Sequence, residues 1–150
     1  MRATLLVLAL AIASCQPAQR SAQEAEADVD AVRSEWQSLA NADDADAVAA
    51  MYTEGATFVA ASGTVVKGRE AIRGAFEASF SVRSDLVIET AAVLFDEDMV
   101  AAYGNYSQKL QSPDGETTLK GMWQTVSMYQ PDGSLKIVLH QSMIPAEPSM

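Results

Sequence analysis

Hydrophobic positions along this chain change their period twice. They form one unbroken run from Leu5 to Ile12, recur every three or four residues from Val29, and alternate with polar residues after Arg83. The first run is shorter than the roughly 20 residues a bilayer-spanning helix needs. With Arg2 before it and Ala13 and Ser14 after it, it has the layout of a secretory signal peptide over residues 1–14. Val29, Val32, Trp36 and Leu39 make a helical stripe, so the spacing predicts a helix from Asp28. "NADDADA" follows, where Asn41, Asp43 and Asp44 offer N-caps for a short second helix carrying Val48, Met51 and Tyr52 and stopped by Gly55. Residues 57–59 and 64–67 flank Ser62 and Gly63 and read as a hairpin, and "REAIRGAFEASF" returns to helical spacing through Ile72, Phe76 and Phe80. Four long strands are predicted over 85–95, 99–111, 116–130 and 134–144, joined by "DED", "SPDG" and "QPDG". Turns this short make the strands antiparallel neighbours, and three amphipathic helices are available to cover one face of the sheet. The predicted class is α+β, with a mostly antiparallel sheet and helices on one side.

The chain has a single cysteine, Cys15, directly behind the apolar run. "IASC" resembles the lipobox of bacterial lipoproteins, in which cleavage precedes the cysteine and its sulfur is lipidated. The alternative is an ordinary signal cleaved after "AIA" at residues 11–13. On the lipoprotein reading Cys15 begins the mature chain, several fatty chains make attachment long-lived, and residues 15–27, polar and small, serve as a flexible tether. The resemblance further implies export across the inner membrane and, with Gln16 after the cysteine, sorting to an outer membrane where one exists.

Charge narrows the partners. Twenty acidic residues against ten basic ones give −10, a surface that repels phosphate backbones, so no nucleic-acid partner is expected. No cofactor and no metal are expected either: one histidine and one cysteine cannot assemble a ligand set, "DDADAVAAMYTE" lacks the glycine and polar alternation of a calcium loop, and no Gly-rich phosphate loop or nucleophile elbow is present.

The stretches "NADDADAVAAMYTEGATFV", "VVKGREAIRGAF", "AAYGNYSQKL" and "DGSLKIVLHQS" resemble the NTF2-like superfamily, in its ketosteroid-isomerase, SnoaL-like and DUF4440 branch, over residues 28–144, leaving 145–150 as a tail. The resemblance implies a cone: a curved sheet whose concave face, covered by the helices, encloses a ligand or plain core. Two-residue turns at both "PDG" sites put Tyr103, Asn105, Met122, Gln124, Val126, Ile137, Leu139 and Gln141 on one face and Tyr106, Trp123, Val138, His140 and Ser142 on the other. The first set alternates with Lys136, which argues that it faces inward; a single bulge would swap the assignment. The expected ligand-binding residues are then Tyr52, Phe58, Tyr103, Asn105, Met122, Gln124 and Gln141, and the expected homodimer face carries Tyr106, Trp123, Val138 and His140.

For catalysis, the resemblance implies an acid on the first strands as base, yet residues 57–67 contain no Asp or Glu. That leaves His140 and Glu89 as the candidate catalytic groups. The functional expectation is therefore a membrane-tethered domain that binds a small, partly apolar molecule or a partner in the cell envelope. The alternatives are a SnoaL-like isomerase, cyclase or hydratase acting through His140 or a bound water, and a dimerisation or scaffold module.

Overall fold

A computed structural model describes residues 20–145. The expected signal peptide at 1–14, Cys15, the part of the expected tether before residue 20 and the residues from 146 onward lie outside the described residues. Helix α1 (Ala22–Asn41) is followed by α2 (Ala45–Ala50), β1 (Tyr52–Val59), β2 (Val65–Lys67), α3 (Arg69–Phe80), β3 (Arg83–Asp96), β4 (Met99–Ser112), β5 (Gly115–Tyr129) and β6 (Leu135–Met143). The strands form one six-stranded sheet in the order β2-β1-β6-β5-β4-β3. β3 to β6 are antiparallel neighbours, as their short turns require, and the hairpin β1/β2 joins the sheet through a parallel β1–β6 pairing.

The helices grow from the expected stripes but not within the expected limits. α1 starts six residues before Asp28, on a capping box in which the Ser21 side chain accepts from Glu24 N–H while the Glu24 carboxylate accepts from Ser21 N–H. This first turn is held by small and polar groups. Ala25 is fully buried, Tyr129 Oη donates to Asp28 at 2.8 Å, and the Arg20 guanidinium lies 3.6 Å from the Tyr129 ring centre. α2 ends at Ala50, so Tyr52 opens strand β1 instead of closing a helix; Asp44 caps α2 by accepting from Ala47 N–H. In α3, Ile72, Phe76 and Phe80 form one buried face. They share a core with Val48, Tyr52, Phe58 and Ile137, while a second cluster gathers Ala25, Val29, Val100, Ala102, Trp123 and Tyr129 under α1.

One bulge reverses the sheet faces. Ser112 pairs with Gly115 as expected, which fixes β4 against β5, but Tyr129 pairs with Leu135 across a longer "PDG" loop, and Val126 pairs with Leu139 while Ser127 pairs with Ile137. Val138 is thus left without a partner on β5 and the alternation of β6 flips across it. Lys136 and Ile137 do alternate, with Ile137 buried inside; beyond the bulge Leu139 and Gln141 point outward and His140 and Ser142 inward. Of the set expected inside, Ile137 stays inside, while Tyr103, Asn105, Met122, Gln124, Val126, Leu139 and Gln141 share the outer face. Tyr103 and Met122 are exposed on the convex face at 43% and 38%, beside exposed Asn105 and the Gln124–Gln141 pair. Tyr106, Trp123 and His140, expected at a dimer face, lie inside the cone.

Candidate functional site

Inside the cone lies a cavity of about 90 Å³, roofed by Val29, Val32 and Trp36 of α1 and walled by Ile88, Tyr106, Trp123, Thr125, Ser127 and His140 of the sheet. It has room for several waters or a small organic molecule. None of the seven residues expected to bind ligand is part of this lining: Tyr52 and Phe58 are buried core behind it, and Tyr103, Asn105, Met122, Gln124 and Gln141 belong to the convex face.

Glycines shape the wall. Tyr106 pairs with Gly121, and a Cβ on Gly121 would overlap the Tyr106 ring, so the ring lies across bare backbone. A Cβ on Gly104 would likewise overlap the carbonyl of Glu89, which accepts from the Trp123 indole N–H at 3.1 Å. Only this main-chain group of Glu89 reaches inward; its side chain is exposed and lies beside Asp30 and Arg33 along a shallow surface groove.

His140 is 7% exposed and surrounded by the rings of Trp36, Tyr52, Phe58 and Phe76, with centroids 5.1 to 6.5 Å away. Burial in this apolar shell disfavours the imidazolium and takes its pKa down to about 4, so the ring is neutral at pH 7. Its tautomer follows from donor accounting. The Trp36 indole can only donate, and it does so to Tyr52 Oη at 3.1 Å. The Tyr52 proton is then free for His140 Nδ1, 2.6 Å away, which makes Nδ1 the acceptor and places the ring proton on Nε2. Burial also raises the Tyr52 pKa, so this phenol stays protonated. Among the described residues Nε2 has no hydrogen-bond partner, and it is not sealed off from the cavity.

The same is true of two further buried side chains. Gln108 and Ser127, each 4% exposed, make no side-chain hydrogen bond to the described protein, and both face the cavity. Their polar atoms open onto the cavity, which leaves them to water or ligand. Sequence reasoning missed Trp36, Gln108, Thr125 and Ser127 as lining residues. The alternation Trp123, Thr125, Ser127, Tyr129 along "WQTVSMY" is the signal that would have found three of the wall positions.

No Asp or Glu lines the cavity, and among the described residues no cluster of three or more His, Cys, Asp and Glu side chains is placed to hold a metal ion. No described helix is long and apolar enough to cross a membrane.

A helix-roofed, curved sheet around a small interior cavity defines the NTF2-like, cystatin-like class of fold. The SnoaL-like domain family model matches residues 29–135, and the chain belongs to that family. Solved structures agree on the fold. The chain is similar to a protein of unknown function from Mycobacterium tuberculosis, at 22% identity over 85% of this chain and 82% of that one, with a TM-score of 0.71. It is also similar to an NTF2-like protein with a cystatin-like fold from Novosphingobium aromaticivorans (16% identity, 85% of each chain, TM-score 0.71). A ketosteroid isomerase-like protein from Erwinia carotovora atroseptica gives 14% identity over 80% of this chain and 95% of that chain, with a TM-score of 0.72. No curated protein matches the chain.

Proposed function

We propose that this domain binds a small, partly apolar molecule inside its cone and does so in the cell envelope, tethered through a lipidated Cys15. The observation that carries the binding reading is a set of side chains on the concave wall, His140, Gln108 and Ser127, buried as residues but with polar atoms that open onto one cavity and have no partner in the described protein. Trp36, Trp123, Ile88 and Val32 supply the apolar surface beside them. Binding is favoured over proton-transfer catalysis by the state of His140. Its Nδ1 is taken by Tyr52, its Nε2 carries a proton, and its pKa of about 4 makes it a weak base, so toward a ligand it offers a hydrogen bond.

Both tryptophans of the chain line the cavity, which makes intrinsic fluorescence the test. A panel of small organic molecules titrated into the full chain is expected to contain members that shift and saturate the emission. Thr125→Leu with Ser127→Leu, which fills the space with methyl groups, is expected to remove that response. Saturable binding that survives the filled cavity would place the ligand elsewhere.

A further inference from the structure

The cavity is polarised at one end. At the start of β3 a bulge between Ser84 and Val87, with Asp85 in the left-handed region at φ 52°, shifts the alternation so that Arg83, paired with Leu110, shares the face of Ile88 and lines the cavity. Two guanidinium groups line the space and no carboxylate does, in a chain with 20 acidic residues. The two arginines differ in what they already hold. Arg33 donates to the Ile88 carbonyl at 2.8 Å and sits 3.5 Å from Asp30. Arg83 makes no ion pair or side-chain hydrogen bond among the described residues, and the nearest acid in sequence, Asp85, is taken by Lys109 at 2.9 Å. Arg83 keeps part of its surface in solvent, yet burial still lowers its pKa, and the Tyr106 phenol interacts with it.

We propose that the cavity selects a small organic acid, its carboxylate held by Arg83 and the Tyr106 hydroxyl and its apolar part lying against Trp36, Trp123 and Ile88. This rests on the small-molecule reading above and gives it a ligand class. A guanidinium at the mouth supplies paired donors to a carboxylate, while the apolar floor accepts a short branched chain or a single ring but no second charge. The size of the cavity, about 90 Å³, sets the same limit.

The test uses matched probes on the full chain: isovalerate against isovaleramide and benzoate against benzamide, followed through the indole signals of Trp36 and Trp123. Each acid is expected to bind about tenfold tighter than its amide, the value of one charge-assisted contact. Arg83→Gln is expected to abolish that preference and Arg33→Gln to keep it. If the amides bind as well as the acids, the carboxylate site is wrong and the cavity reading stands. If the preference survives Arg83→Gln, or disappears equally in Arg33→Gln, the assignment to Arg83 is overturned. If none of the four probes binds, the acid site is wrong, and the binding reading beneath it is decided by the wider panel.

Discussion

The Tyr52 hydroxyl lies 2.6 Å from Nδ1 of His140, and it can donate there because the Trp36 indole already supplies its other hydrogen bond. One buried phenol therefore decides which imidazole nitrogen faces the cavity. Replacing Tyr52 with Phe leaves both the Trp36 N–H and His140 Nδ1 without a partner. The expected loss is about 1–3 kcal/mol in chemical denaturation. The imidazole ¹⁵N spectrum is expected to move from a single Nε2–H tautomer to a mixture; an unchanged spectrum would show that Tyr52 does not set it.

Stability should fall with acid before the carboxylates begin to titrate. His140 is neutral when folded, with a pKa near 4, whereas the unfolded chain takes up that proton near 6.5. Between these values the unfolded state holds more protons, so stability is complete above about pH 6.5 and declines as pH falls toward 4. The loss from pH 7 to pH 5 is on the order of 2 kcal/mol. His140 is the only histidine, so His140→Gln is expected to flatten this part of a urea-midpoint profile. A slope that persists in the variant would assign the effect elsewhere.

Gly121 keeps the Tyr106 ring in place by having no side chain. Gly121→Ala is expected to drive the ring off the strand into the cavity, at a cost of about 1–3 kcal/mol. The Tyr106 ring resonances are expected to shift along with those of Trp123, and any saturable ligand response should weaken. Gly55, beside which a Cβ would meet nothing, serves as the control position: Gly55→Ala is expected to leave the cavity signals unchanged.

At the start of the domain, Ser21→Ala breaks the capping box on α1 and is expected to cost about 1 kcal/mol. If the segment before Asp28 were a loose tether, the same substitution would be neutral.

The lipid anchor has its own test. Palmitate labelling of cells expressing the full chain is expected to mark the wild type and to vanish in Cys15→Ser. Equal labelling of both would remove the anchor from the account.

These predictions depend on features that the sequence carries unevenly. The stripe Val29, Val32, Trp36 and Leu39, the face Ile72, Phe76 and Phe80, and the turn at Ser112–Gly115 were legible because each is a local periodicity or a local turn rule. The early start of α1 was not. Its anchoring comes from Ala25, too small to mark a stripe, and from Arg20 and Asp28 meeting Tyr129 more than a hundred residues away. The direction of the sheet faces was hidden for a related reason. A bulge at Val138 depends on how β6 curves against β5, and nothing in "LKIVLHQS" distinguishes a bulged valine from a paired one. That one residue moved His140, Trp123 and Tyr106 to the interior and the two glutamines to the surface.

On the proposed function, the cone holds a small molecule on the polar groups around His140 that have no protein partner. Native mass spectrometry of the full-length protein, extracted from its own host in mild detergent, tests it most directly. A second population is expected, heavier by the mass of one small organic molecule, an acid by composition, and absent from the Thr125→Leu, Ser127→Leu protein. Identical masses for the two proteins, apart from the substitutions themselves, would contradict it.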